Sequence, residues 1–442
     1  MNWARLDLAG WGRAPRATTL AARPERAGAI APALAAADCG GIIARGGGRS
    51  YGDAALNGGG RTVLTTRLDR VLDFDPESGR LVCEPGVTFR DLLDIFAPRG
   101  WLAPVIPGTG YVTIGGAVAF DVHGKNHDRV GSFGDHVAWF DLVLASGESL
   151  RVTPESDAEL FAATIGGAGL TGVLSAIAFD LVRAPAAVRL GERRVADLDA
   201  YLAALEEARA TATYSVGWID ALARGRHLGR GILETAEPAD DGPPLGARRR
   251  PRMPLDAPGF ALNPLTVAAF NRAYIGRVPA AGRERLLAVD RFFHPLDAIG
   301  DWNRVYGRRG FRQFQCVLPE ASARDGLRRL LETIATARAA SFLAVIKTLG
   351  GEGRGHLSFP MRGVTLALDF PRRAAVDDLL GRLERITRDG GGRVYLAKDA
   401  CLSAQGFAAM YPRLDDFRAV LARVDPEARI QSDLARRLSI RD

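Results

Sequence analysis

The sequence predicts an α+β protein made of more than one unit, on three observations. Two glycine-rich stretches, Arg45-Gly-Gly-Gly-Arg-Ser-Tyr-Gly-Asp53 and Pro107-Gly-Thr-Gly110 with Thr113-Ile-Gly-Gly-Ala117, lie in the first third of the chain. A proline break, Ala184-Pro185-Ala186, ends that region. Beyond residue 310 the apolar pattern runs strand, helix, strand, strand, helix, an order that builds an antiparallel sheet with helices on one face.

Each element has a local reason. Residues 24–39 are alanine-rich with helical spacing and lead into a strand at 41–44, which delivers the first glycine loop. Short apolar runs predict strands at 62–65, 71–74 and 81–84. Phe89, Leu92, Leu93 and Phe96 repeat with a helical period, giving a helix over 87–97. Residues 113–120 form a short helix whose N-terminus faces an anion. Residues 139–144 and 149–152 flank Ser146-Gly147 and make a hairpin. A helix follows at 157–164 and a closing strand at 172–183. The second region opens with a helix at 198–210 and a strand at 213–219. Residues 236–258, rich in Pro, Gly, Asp and Arg, form a mobile loop. Strands at 311–318, 341–348 and 364–370 alternate with helices at 323–340 and 375–389. Gly390-Gly-Gly392 then turns the chain back through 394–397. The boundaries that follow are 1–184, 185–392 and a C-terminal segment 393–442.

The chain has 442 residues, enough for two or three domains. With 47% hydrophobic and 25% charged residues it has the composition of a globular protein. It holds no apolar run long enough to span a bilayer. The start, Met1-Asn-Trp-Ala-Arg-Leu-Asp7, lacks an apolar leader, which predicts a cytoplasmic location. Four scattered cysteines with no CxxC fit reduced thiols rather than disulfides or a zinc site. The net charge is +7, yet the arginines are interleaved with acids, which argues against nucleic acid. A basic face for phosphates or an anionic membrane surface fits better, the clearest cluster being Arg248-Arg-Arg250 with Arg252.

Lysine is nearly absent. Of 58 basic residues only Lys125, Lys347 and Lys398 are lysine, so 58 − 3 = 55 are arginine. None lies in a charged run: Lys125 sits in His123-Gly-Lys-Asn126, and Lys347 and Lys398 end apolar stretches. Burial can lower a lysine pKa, whereas arginine stays charged. The three are therefore candidate site residues.

Glycine lets the backbone press its N–H groups against an anion, and two such loops suit a long, doubly charged ligand. Neither loop is a P-loop or a GxGxxG fingerprint. Gly48-Arg-Ser-Tyr-Gly-Asp53, Pro107-Gly-Thr109, Thr113-Ile-Gly-Gly-Ala117 and His123-Gly-Lys-Asn-His127 instead resemble the vanillyl-alcohol-oxidase-like flavoproteins with a PCMH-type FAD-binding domain. Further ordered matches are His294-Pro-Leu-Asp297, Trp302-Asn-Arg304, Ala397-Lys-Asp399 and Ser432-Asp-Leu-Ala-Arg-Arg437. Within that superfamily the order is most similar to the branch that oxidises a lipid-linked ribose phosphate. The resemblance implies a two-subdomain PCMH-type FAD-binding domain, an antiparallel-sheet substrate (cap) domain, and a tail that rejoins the FAD domain.

The resemblance also implies roles. FAD would be held by Arg45, Gly46, Gly47, Gly48, Arg49, Ser50, Tyr51, Gly52, Asp53 and Ala54. The second set is Gly108, Thr113, Ile114, Gly115, Gly116, Phe120, His123, Gly124, Lys125 and Asn126, joined by Leu174 and Tyr395. Covalent members bond FAD to a histidine just before the serine. Arg49 stands there and cannot form that bond, so the FAD is non-covalent. Tyr51 packs near the isoalloxazine, or is a core aromatic at a turn. His123 hydrogen-bonds near the flavin or its phosphates, and no metal site is expected there. Lys398 contacts the reacting hydroxyl as base or electrostatic stabiliser. Lys398, Tyr51 and His123 thus form the catalytic set. Gln315, Lys347, Asp369, Trp218 and Phe342 line the substrate pocket with Lys398, although by alternation alone Trp218 and Phe342 read equally well as core. Ala367 stands where the branch's best-known members carry a cysteine, so thiol chemistry is lost there.

The implied activity is oxidation of the 2′-hydroxyl of a prenylphosphoryl ribose to a ketone. A separate NAD(P)H-dependent short-chain keto-reductase would complete the epimerisation to arabinose, at the inner face of the cell membrane. The alternatives are an FAD-dependent oxidase of free sugars, alditols or aldonolactones, and a flavin-free binding protein, against which the intact Tyr51, His123 and Lys398 stand.

Overall fold

The computed structural model describes residues 2–246, 250–339 and 342–441. Arg248 and Arg249 of the basic cluster, and the junction expected at 340–341, lie outside the described residues. The chain first builds a four-stranded sheet from β1 (Ala4–Ala9), β2 (Arg16–Ala22), β3 (Ile42–Arg45) and β4 (Arg61–Leu64), in the order β1-β2-β4-β3. β2 and β3 run parallel to β4, so both deliver their C-terminal ends to one side. The first glycine loop leaves β3 at that edge.

A second sheet is fully antiparallel. It joins β5 (Val71–Phe74), β6 (Arg80–Cys83), β8 (Val137–Val143), β9 (Ser149–Val152) and β10 (Val173–Asp180) in the order β5-β6-β10-β8-β9. β10 is central, and every residue but its last is buried, which explains its unbroken apolar sequence. The helix Phe89–Phe96 starts with a capping box between Thr88 and Asp91 and buries Phe89, Leu92, Leu93 and Phe96. The short pair β7 (Trp101–Leu102) and β11 (Val182–Arg183) closes this part, so the strand expected over 172–183 divides into β10 and β11.

From Ala187 the chain forms one eight-stranded sheet. Its strands are β12 (Ala187–Val195), β13 (Tyr214–Ile219), β14 (Gly231–Ala239), β15 (Arg283–Leu287), β16 (Phe311–Pro319), β17 (Ala344–Leu349), β18 (Gly363–Pro371) and β19 (Arg393–Val394). The order is β15-β12-β14-β13-β17-β18-β16-β19, antiparallel throughout. Helices Leu198–Thr211, Glu320–Thr336 and Ala374–Asp389 pack on one face. Because strand side chains alternate, Phe314 and Cys316 of β16 join the core while Gln313 and Gln315 turn to the other face. That free face becomes a wall of the site.

The structure adds elements the apolar pattern does not reveal. β1 is largely exposed, and β12 and β15 carry alternating charges. Buried Glu192 of β12 pairs with Arg283 and Arg285 of β15 at 2.6 and 3.0 Å, and with Arg277 at 2.7 Å. This edge is held by ion pairs, which hydrophobic periodicity cannot detect. The helix expected over 24–39 shrinks to a 3₁₀ turn, Ala27–Ala29, and a helix, Ile30–Ala35. The loop expected over 236–258 begins later, because residues 236–239 complete β14. The helix Pro264–Gly276, opened by the Asn263 cap and Pro264, was not anticipated.

The tail returns to the first sheet. Ile42 bridges Ile430, and Tyr51 N–H donates to the Ala397 carbonyl at 2.9 Å. Arg437 forks onto Asp53 at 2.7 and 2.8 Å and reaches Asp399 at 2.9 Å and the Leu402 carbonyl at 2.7 Å. Arg437→Ala would leave two buried carboxylates facing each other, at a cost of about 3–5 kcal/mol. We expect a clear drop in the thermal midpoint, recovered only in part by Arg437→Lys, which lacks the fork. An unchanged melting curve for Arg437→Ala would remove the clamp from the account.

Candidate functional site

A cavity of ≈ 620 Å³ lies where the two glycine loops meet the free face of the eight-stranded sheet. The first loop contributes Gly46, Gly47, Gly48, Arg49, Ser50, Tyr51 and Ala54. The second contributes Gly108, Thr113, Gly115, Gly116, Phe120 and His123, and Leu174 and Tyr395 complete that side. Gln315, Lys347, Ala367 and Lys398 form the opposite wall.

The loops interlock closely. A Cβ on Gly46 would stand 2.2 Å from Thr113 Oγ1, the atom that caps the helix Ile114–Ala119 by accepting from Gly116 N–H. Gly48 adopts φ +64, which glycine takes without strain. The amide N–H groups of Gly46, Gly47, Gly48, Arg49 and Ser50 meet no acceptor among the described residues. A run of free amides beside a helix N-terminus is a cradle for a phosphate or pyrophosphate, and it fits FAD.

The two walls meet at His123. Gln315 Nε2 lies 3.1 Å from His123 Nε2 and donates to Thr365 Oγ1 at 3.3 Å, while His123 Nδ1 is buried with no partner among the described residues. Tyr395 supports this corner by donating its hydroxyl to the Phe120 carbonyl at 2.9 Å. Lys398 Nζ stands 3.9 Å over the Tyr51 ring. Lys347 Nζ donates to the Gly124 carbonyl at 2.6 Å.

Electrostatics here are those of crowded cations. Burial first, then the charges of Lys125 and Lys398, lower the Lys347 pKa to about 7 against the pull of Asp128. Burial and then the charges of Lys347, His127 and Lys398 hold His123 neutral, well below its ordinary range. Burial also lowers Lys398, opposed by the Asp369 carboxylate, and raises Asp369 in turn. The three lysines of the chain thus act on one region, and an anion entering it would be strongly attracted.

Other expected residues lie outside the cavity lining. Arg45 donates to the carbonyls of Ala9 and Ala55, tying the loop to β1. Gly52 lets the backbone approach Asp399, whose carbonyl a Cβ would meet at 1.8 Å. Asp53 is held by Arg437, Ile114 is core, and Asn126 donates to the Pro104 carbonyl. Lys125 Nζ turns to the Phe292 carbonyl at 2.6 Å and lies 4.0 Å over the Phe292 ring. Asp369 sits behind the wall, accepting from Tyr306 at 3.2 Å and from Gln313. Trp218 donates to the Phe342 carbonyl at 2.9 Å and, with Phe342, forms a layer one step further out.

The lining also includes residues not expected in the cavity from the sequence, Arg250 and Arg252 having been read only as part of a basic face. Trp11, Tyr111, Trp302, Arg250, Arg252, Gln313 and Asp297 all face the cavity. Asp297 accepts from Thr109 Oγ1 and Gly110 N–H, both at 2.7 Å, and so fixes the second loop. Its motif, His294-Pro-Leu-Asp297, was visible, but its partners were not.

Ala367 lies between Gln315 and Val345 in register, with its methyl toward the cavity. No cysteine lines the described cavity wall. Cys316 is turned into the core, and burial pushes its thiol up to about 12. A cysteine-trapping inhibitor bound here should therefore leave the intact mass unchanged, whereas Ala367→Cys should give an adduct. An adduct on the natural chain would contradict this placement.

Comparison with known proteins shows the family. The model for an FAD binding domain matches residues 19–153, and that for D-arabinono-1,4-lactone oxidase matches residues 363–438. Decaprenylphosphoryl-beta-D-ribose oxidase of Mycolicibacterium smegmatis is 36% identical over 98% of this chain and 97% of its own length. An uncharacterized protein of Streptomyces coelicolor is 37% identical over 80% of this chain and all of its own. A putative D-arabinono-1,4-lactone oxidase of Neurospora crassa is 28% identical over 28% of this chain and 22% of its own. The chain therefore belongs to the decaprenylphosphoryl-beta-D-ribose oxidase family of FAD-dependent oxidoreductases that act on CH–OH groups.

Proposed function

We propose that this protein oxidises the 2′-hydroxyl of a prenylphosphoryl-β-D-ribose to the 2′-ketone. The observation that carries the reading is the convergence of Lys347, Lys398 and Gln315 on a wall facing Tyr51 of the first loop and His123 of the second. Bound FAD supplies the hydride acceptor. The chain's own residues do the rest. Lys347 offers its charge to the substrate phosphate, whose anion would keep that amine protonated. Lys398, with its pKa lowered by burial, takes the hydroxyl proton. Gln315, braced by His123 and Thr365, positions the sugar. Asp369 sits behind Lys398 and receives part of the charge that forms there.

A ketone product calls for a separate NAD(P)H-dependent short-chain keto-reductase, which returns hydride from the opposite face and yields the arabinose epimer. A lipid-linked substrate places the work at the inner face of the cell membrane. Among the described residues no helix is long and apolar enough to cross a membrane, so the association would be peripheral. The lactone-oxidase match over residues 363–438 covers Asp369 and Lys398, which oxidation of a free sugar or lactone would also use. The phosphate-facing Lys347 lies outside it.

The first test is anaerobic absorbance between 350 and 500 nm with a short-chain prenylphosphoryl ribose. Bleaching is expected, and Lys398→Met should slow it by about 10²–10⁴-fold. A yellow protein that bleaches with free sugars or lactones but not with the phosphoprenyl sugar would reverse the substrate assignment. The flavin should also dissociate on acid precipitation, because Arg49 stacks on Trp11 at 4.3 Å and offers no histidyl attachment. Colour retained in the pellet would contradict that.

A further inference from the structure

The segment that leads into and opens the helix Pro264–Gly276 concentrates apolar exposure more than any other among the described residues. Among the large hydrophobic residues exposed in the described chain, the three most exposed are Leu255 at 73%, Phe260 at 77% and Leu265 at 82%. All three fall within eleven consecutive residues, and Ile299, half exposed, adds to them from the cavity rim. Scattered exposed leucines are ordinary, whereas a concentrated patch marks a contact surface.

The patch is joined to the cavity by backbone. Gly300 N–H donates to the Pro251 carbonyl at 2.8 Å, Met253 N–H to Gly300 at 2.9 Å, and Ala257 N–H to Arg304 at 2.9 Å. The strap 251–257 therefore runs along the rim that carries Ile299 and Trp302. Leu262 is tucked against the cluster of Tyr51, Tyr306 and Phe311, which fixes its neighbours Phe260 and Leu265 facing outward.

Arginines without an ion pair lie beside the patch. Arg272, Arg308, Arg309 and Arg373 make no ion pair among the described residues, and Arg252, at 75% exposure, has one. The nearby carboxylates are already engaged: Asp256 pairs with Arg13 and Arg304, and Asp301 with Arg252. Apolar side chains ringed by unpaired arginines match an anionic lipid surface, in which the former enter the acyl boundary and the latter meet the headgroups.

We propose that the face formed by Leu255, Phe260 and Leu265 with Arg308 and Arg309 docks on an anionic bilayer and holds the cavity mouth at the membrane. A prenyl chain then passes from bilayer to cavity along the strap without crossing water. This rests on the lipid-linked substrate reading above and adds to it the surface that receives the lipid.

The test is flotation of the purified full chain with vesicles. Phosphatidylcholine vesicles containing phosphatidylglycerol should carry the protein, and phosphatidylcholine alone should carry less. The Phe260→Ser/Leu265→Ser double variant should partition about tenfold less well. Arg308→Glu/Arg309→Glu should lose the preference for phosphatidylglycerol. Turnover of a short-chain substrate in free solution should be unchanged in both. The proposal is overturned if the natural chain stays unbound to both vesicles, or if the double variant floats like the natural chain. A dimer in light scattering that the double variant dissolves also overturns it, by giving the face to a second copy. Absence of turnover by the natural chain counts against the substrate assignment alone, because flotation requires none.

Discussion

The site depends on the docking of the tail against the first glycine loop. Lys398 belongs to the tail, and Tyr51, over which it stands, belongs to the loop. What keeps them in register is main-chain: the Tyr51 N–H on the Ala397 carbonyl and the close passage of Gly52 over Asp399. Arg437 then seals the joint by satisfying Asp53 and Asp399 together. A side chain at position 52 would force the two backbones apart, so the glycine is required by approach rather than by turn geometry.

The same logic explains the division of labour between the walls. The loop side offers unpaired amides and few charged side chains, suited to a phosphate-bearing cofactor. The opposite side offers Lys347 of β17, Gln315 of β16 and Lys398 of the tail, two cations and an amide suited to a sugar phosphate. In an antiparallel sheet Gln315, Ala367 and Val345 stand side by side by register alone, so three strands present a continuous floor. With Ala367 in the middle that floor is small and apolar, and the reacting groups lie at its edges.

Much of this was legible in the sequence because the relevant residues are contiguous. Both glycine loops, the scarcity of lysine and the antiparallel order beyond residue 310 could be read without coordinates. The motif boundaries were less informative about direction. Lys125 and Asn126 sit in the same motif as His123, yet one turns to Phe292 and the other to Pro104, because successive residues in a tight loop point different ways. Asp297, Trp11 and Gln313 were not legible as site residues, since each reaches the cavity from a separate element. The β12–β15 edge escaped notice because Glu192 and three arginines hold it where apolar alternation would normally do so.

The tail clamp also sets the order of assembly. Arg437 and Asp53 are 384 residues apart in sequence, and Asp433 meets Gly58 across 375. At translation speeds of about 5–20 residues per second, the loop waits on the order of tens of seconds for its partner. Between the completion of β16 at Pro319 and the arrival of β19 at Arg393 the edge of β16 stands open, and a strand edge left open can pair with the wrong chain. The nascent protein therefore has both glycine loops but no finished cleft between them. Tyr395, Ala397 and Lys398 complete the cleft lining, so a cofactor meets the whole cleft only after the tail has been made.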